Sequence, residues 1–186
     1  TNTADLSGAN LGFQDMQTLS LAGAGTAATV LLNDVSGSGN NMVLTMSGLE
    51  GGVSAFNISN ASGNITIGAE SMTGSIDVAT LETSALGAAV ISTGTAGNFS
   101  ASTVKLAGGF TLDASAHVSG SGSIAVSDLS ASGAISISLG SGSGDTTLLD
   151  VAGESTFTLD GSNFGGTIEV GTFTAAGNTT VSMGTE

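Results

Sequence analysis

Apolar and small polar residues alternate in short runs, and these runs return along the chain. Ile65 and Ile67, Ile76 and Val78, Phe110 and Leu112, and Ile124 and Val126 each flank one residue. Ile135, Ile137 and Leu139 follow, then Phe157 and Leu159, Ile168 and Val170, and Val181 and Met183. The residues between them are mostly Thr, Ser, Asp or Glu. A period of two is the signature of a strand with one buried face. Apolar residues do not recur at helical spacing, and Gly is too frequent for long helices. The pattern predicts an all-β chain with negligible helix.

The punctuation between the runs is as regular as the runs. A Gly stands just before each at positions 12, 25, 39, 52, 63, 74, 87, 97, 109, 122, 133, 144, 166 and 177, and Ser155 takes one further slot. The mean spacing is about 12 residues, and the interval is constant from Gly122 to Gly177. Such spacing suits a parallel β-solenoid in which two units make one coil. Tandem β-sandwiches are the alternative, but no Trp or Tyr is available to organise a sandwich core. The expected molecule is one repetitive domain over residues 1–186, with about eight coils in a rod about 38 Å long. The Gly slots would fall at corners, where positive φ or close backbone approach is needed. Neither end carries a recognisable polar cap, so the chain reads as a segment or subunit of a larger assembly.

Charge narrows the partners. Fifteen acidic residues face a single basic one, Lys105, giving a net charge of −14 over 186 residues. One cation cannot neutralise a phosphate backbone, which excludes nucleic acid, or hold an anionic bilayer. The apolar runs are too short to span a membrane. No Cys is present, so no disulfide framework exists. Apolar residues make up 40% of the chain and charged ones only 9%, which sets it apart from acidic disordered chains.

Catalytic chemistry finds little support. The only imidazole, His117, lies in Asp113-Ala114-Ser115-Ala116-His117 and reads as an exposed loop residue rather than part of a triad, because triads are defined by geometry on a scaffold. Asp145 and Asp150 could pair for acid–base work, but no pocket can be argued around them. The chain does not read as an enzyme. Lys105, between Val104 and Leu106, reads as an outward-facing strand residue. The sequons at Asn57, Asn60, Asn64, Asn98 and Asn178 are what an Asn-, Ser- and Thr-rich chain generates by chance.

Metal binding is the more interesting chemistry. Asp-x-Ser turns occur at Asp5-Leu6-Ser7, Asp34-Val35-Ser36, Asp128-Leu129-Ser130 and Asp160-Gly161-Ser162. Carboxylate, hydroxyl and turn carbonyl oxygens are the ligands Ca²⁺ prefers. A chain this acidic also gains from divalent ions that relieve its self-repulsion. Asp34, Asp145 and Asp160 are the candidate ligands. The competing reading is that Asp and Ser cap their turns through nearby backbone N–H groups.

Three stretches carry a family likeness. Leu11-Gly12-Phe13-Gln14-Asp15-Met16-Gln17-Thr18-Leu19-Ser20-Leu21 and Phe110-Thr111-Leu112-Asp113-Ala114-Ser115 resemble strands of bacterial surface-layer and RTX-like extracellular repeat proteins. Gly140-Ser141-Gly142-Ser143-Gly144-Asp145-Thr146-Thr147-Leu148 is similar to the calcium nonapeptide of RTX proteins, with Ser141 and Ser143 where Gly belongs and Thr147 in an apolar position. The resemblance implies an extracellular or cell-surface structural protein that assembles with copies of itself, with Asp145 as a Ca²⁺ ligand. The alternative is an adhesin or phage-fibre module that holds a receptor or cell-surface glycan. Such modules usually contact their ligand through aromatic residues, whereas Phe, the only aromatic type here, falls largely at positions expected to face inward.

Overall fold

The computed structural model describes residues 9–13, 17–26, 29–39, 41–95, 97–117, 122–142 and 144–184. Its strands, in chain order, are β1 (Ala9–Phe13), β2 (Gln17–Thr26), β3 (Val30–Gly37), β4 (Asn41–Leu49), β5 (Val53–Asn60), β6 (Asn64–Ser71), β7 (Ile76–Thr83) and β8 (Ala89–Ser92). They continue as β9 (Phe99–Leu106), β10 (Phe110–Ala114), β11 (Ile124–Ala131), β12 (Ile135–Leu139), β13 (Thr146–Gly153), β14 (Phe157–Gly161), β15 (Ile168–Ala175) and β16 (Thr179–Met183). No helix occurs among the described residues, so none is long and apolar enough to cross a membrane.

Odd-numbered strands form one eight-stranded sheet and even-numbered strands the other, each in strict sequence order. Every pairing is parallel. Each odd strand and the even strand after it make one rung, and the rungs stack into a β-solenoid. Val30, Val53, Ile76, Phe99, Ile124, Thr146 and Ile168 form one continuous column. The rungs along it are therefore nearly equal in length, and those starting at Ile124 and Thr146 match each other. The rung starting at Phe99 is the long one.

The odd-strand sheet is creased. In β11 and β13 the inward positions are spaced two, then three, then two residues apart, so two consecutive residues face outward in mid-strand. Asn33, Phe56, Ala79, Ser102, Ser127 and Leu149 occupy the first of these places and drop out of the ladder in every rung. A strict alternation would have kept the sheet flat. The repeated step of three bends it along a line parallel to the rod.

The core is a narrow column of Val, Ile, Leu, Met and Ala, with Phe99, Phe110 and Phe157 as its largest side chains. Nothing larger would fit without parting the sheets, which accounts for the absence of Trp and Tyr. The corners carry the glycines. A Cβ on Gly97 would run into the carbonyl of Gly74, one on Gly144 into that of Gly122, and one on Gly166 into that of Gly144. Close approach between rungs is thus what these slots supply; among them Gly52, at φ +94°, is the one that uses left-handed backbone. The expected correspondence fails in the first rung, where Gly12 and Gly25 lie inside β1 and β2. Asn side chains tie neighbouring corners: the Asn64 main-chain N–H donates to Asn41 Oδ1 at 3.3 Å, and the Ala88 main-chain N–H to Asn64 Oδ1 at 2.9 Å.

Candidate functional site

Parallel in-register stacking places chemically different residues in long outward files, so candidate sites follow from the register. One file reads Asp34, Asn57, Thr80, Thr103, Asp128, Asp150 and Thr172. Asp128 and Asp150 are direct neighbours in it, about 4.8 Å apart along the backbone. Among the register-paired described residues, only there do two carboxylates stand side by side. The signal was present in the sequence as two acids one repeat apart, but only the length of that rung makes their separation meaningful.

The candidates Asp34, Asp145 and Asp160 are not brought together. Asp34 is half-buried on β3, and its Oδ2 accepts a 3.4 Å hydrogen bond from the Asn33 amide. Asp145 is exposed just before β13, where its main-chain carbonyl accepts the Ile124 N–H. Asp160 is the penultimate residue of β14 on the other sheet, and its Oδ1 accepts the Ser162 N–H at 3.0 Å. The Ser162 hydroxyl, followed by that N–H, holds the Asp160 carboxyl below the usual carboxylate range. Asp113 makes the same turn, accepting the Ser115 N–H at 3.0 Å. These two Asp residues cap turns, whereas Asp34-Val35-Ser36 and Asp128-Leu129-Ser130, expected as turns, lie within β3 and β11. The Asp5-Leu6-Ser7 turn lies outside the described residues. Among the described residues no three His, Cys, Asp or Glu side chains converge on one point. A Ca²⁺ ion, which takes six to eight oxygens, would have to complete its shell with main-chain oxygens, water or a neighbouring copy.

Lys105 is exposed on β9, as expected, and the register sets it beside Glu82 on β7. His117 is a correction. It is not an exposed loop residue but is buried, only 4% accessible, with Nε2 lying 3.0 Å from the Thr93 hydroxyl. Burial pushes its pKa below the ordinary histidine value, and a hydrogen bond with the Gly97 backbone offsets part of that. Its Ser115 and Asp113 neighbours in sequence do not form a triad with it: Asp113 is committed to the Ser115 N–H, and the imidazole turns to Thr93 on another rung.

Phe56 is an exception to the inward placement of Phe99, Phe110 and Phe157: it sits on the crease, 65% exposed. With Leu31, Ser54, Asp77, Ser100 and Ser102 it lines a shallow groove of about 320 Å³. In that groove the Ser100 hydroxyl donates to Asp77 Oδ1 at 2.6 Å. The step of three between Ala55 and Ile58 was the sequence signal that Phe56 faces out. A further apolar surface lies across β15 and β16, where Ile168, Val170, Phe173, Val181 and Met183 line a groove of about 370 Å³ with Phe157 and Leu159 at its floor. Phe173 meets Phe157 edge-on, ring centres 4.7 Å apart. No family model matches the chain, and neither a curated protein nor a solved structure is significantly similar to it.

Proposed function

We propose that this chain is a structural protein of a cell surface or extracellular filament, assembling with further copies of its own kind with the help of Ca²⁺. The observation that carries this reading is the regular in-register stack of two parallel sheets, which turns one repeated rung into long outward files of Ser, Thr, Asn and acids. The sides of the rod are dominated by Ser, Thr, Asn and acids, with no enclosed catalytic pocket among the described residues. That combination suits a scaffold.

Calcium enters through charge. At −14 per chain, copies repel one another within a Debye length of about 8 Å at physiological salt. The described residues gather too few carboxylates for a closed site. Oxygens from Asp128 and Asp150, Asp34 or Asp145 would therefore be shared with a neighbour, which removes repulsion and links subunits together. Purified protein should form ordered sheets or fibres in electron micrographs with millimolar Ca²⁺, lose them with chelator, and not regain them with NaCl at equal ionic strength. Order that survives chelation would sink the calcium linkage, and a dispersed monomer under all conditions would sink the assembly reading.

Phe56 favours a second reading, a module that holds a neutral glycan. An exposed ring can stack on the apolar face of a sugar, while the Asp77 carboxylate and the Ser100 and Ser102 hydroxyls meet its hydroxyl groups. A dispersed monomer that binds neutral oligosaccharides, and loses them on Phe56→Ala, would establish it.

A further inference from the structure

The longest rung of the rod is also the one that buries an ionisable ring. His117 follows β10, and the surrounding chain is cut to its shape. A Cβ on Gly122 would lie 2.7 Å from ring atoms Cε1 and Nδ1, and one on Gly142 would lie 3.3 Å from the histidine Cβ. The His117 N–H donates to the Ala114 carbonyl at 3.0 Å, and its own carbonyl accepts the Gly142 N–H at 2.9 Å. The residue therefore joins three successive levels: Thr93 and Gly97 on one side, its own rung, and Gly140 and Gly142 on the other.

The hydrogen-bond arrangement satisfies a neutral ring completely. A backbone carbonyl can only accept, so the nitrogen facing Gly97 carries the hydrogen. Nε2 is then the acceptor and the Thr93 hydroxyl the donor. A proton added at Nε2 turns that acceptor into a second donor. The Thr93 hydroxyl must then accept instead of donating, and a full positive charge stands in the interior. Among the described residues no carboxylate is paired with the ring to answer that charge. The ionisable residues on the elements packed around the ring are Asp113 on β10, Asp128 on β11, Lys105 on β9 and Asp145 before β13, and all four are exposed.

We propose that His117 is an acid-sensitive pin, which clamps three levels of the rod while its ring is neutral and loosens them when the ring takes up a proton. The sign follows from linkage. The unfolded chain protonates this histidine near 6.5, whereas the folded chain does so only at lower pH. Between those two values the unfolded state binds more protons, so stability is full above 6.5 and declines as pH falls through the window to the folded value.

Because His117 is the sole histidine, its ring resonances are unambiguous in an NMR titration from about pH 8 to pH 5. The ring should titrate below the ordinary histidine value, and the Gly97, Gly140 and Gly142 amides should shift with the same midpoint. Exchange protection of the Gly140 and Gly142 amides, corrected for intrinsic rates, should fall about tenfold or more across that range. His117→Gln can donate to the Gly97 carbonyl and accept from Thr93 without titrating, so its thermal midpoint should lose the part of the pH dependence that wild type shows there. A ring that titrates at or above the ordinary value, or amides indifferent to its titration, would overturn the proposal even if the variant fails to fold.

Discussion

Thr146 Oγ1 is a buried side-chain oxygen with no hydrogen-bond partner among the described residues. It stands in the inward column that otherwise holds Val30, Val53, Ile76, Phe99, Ile124 and Ile168, where a methyl group belongs and a hydroxyl loses its water. Thr146→Val keeps the shape and removes the stranded oxygen, so it should raise stability by about 1 kcal/mol in urea unfolding. An unchanged or lower midpoint would mean that the hydroxyl serves a purpose in the folded state. At this scale the sequence was least informative. The alternating runs identified Thr146 as a strand residue, but its isolation depends on Ile124 and Ile168, its neighbours in the rungs on either side. His117 escaped for the same reason, because Thr93 and Gly142 reach it only through the stack. Asp160 could be recognised as a turn residue, whereas the direction of its carboxylate, toward the Ser162 N–H, could not.

Among the elements, strands and corners were legible and the crease was not. Ile124–Val126 and Ile168–Val170 announce their strands by alternation, and both pairs open strands of the odd-numbered sheet. The step of three that follows, from Val126 to Leu129 or from Leu148 to Val151, reads as noise in one strand. It becomes a signal only when it recurs in every rung. The Gly slots were found, but their role differs from the one expected of turn glycines. Gly144 is needed because two backbones pass at van der Waals limits. Gly144→Ala should therefore cost about 3 kcal/mol or more, since neither backbone can yield without parting two rungs. Gly165 meets nothing within 4 Å, and Gly165→Ala should stay within about 0.5 kcal/mol of wild type. Equal losses at the two sites in chemical denaturation would refute the packing account.

For the whole molecule, each rung contacts only its neighbours, so stability is a sum of rung and interface contributions. The rungs from Ile124 and from Thr146 are equal in length, and their strands pair without a shift of register. Removing residues 124–145 would join Ser123 to Thr146 and set β13 in the place of β11, with every inward position still inward. The shortened protein should remain wholly β by circular dichroism and unfold with a proportionately smaller denaturant dependence. The corners already absorb differences of one to three residues between rungs, so the sensitive change is one inside a strand: deleting a single residue within β13 should abolish folding, because it turns the rest of that strand inside out. The equal repeat therefore reaches into inheritance. Recombination between misaligned copies of the coding repeat lengthens or shortens the rod by complete rungs without disturbing the fold, whereas a codon slipped within a strand is lethal to it, so lineages of such a gene should diverge in rung number sooner than in rung length.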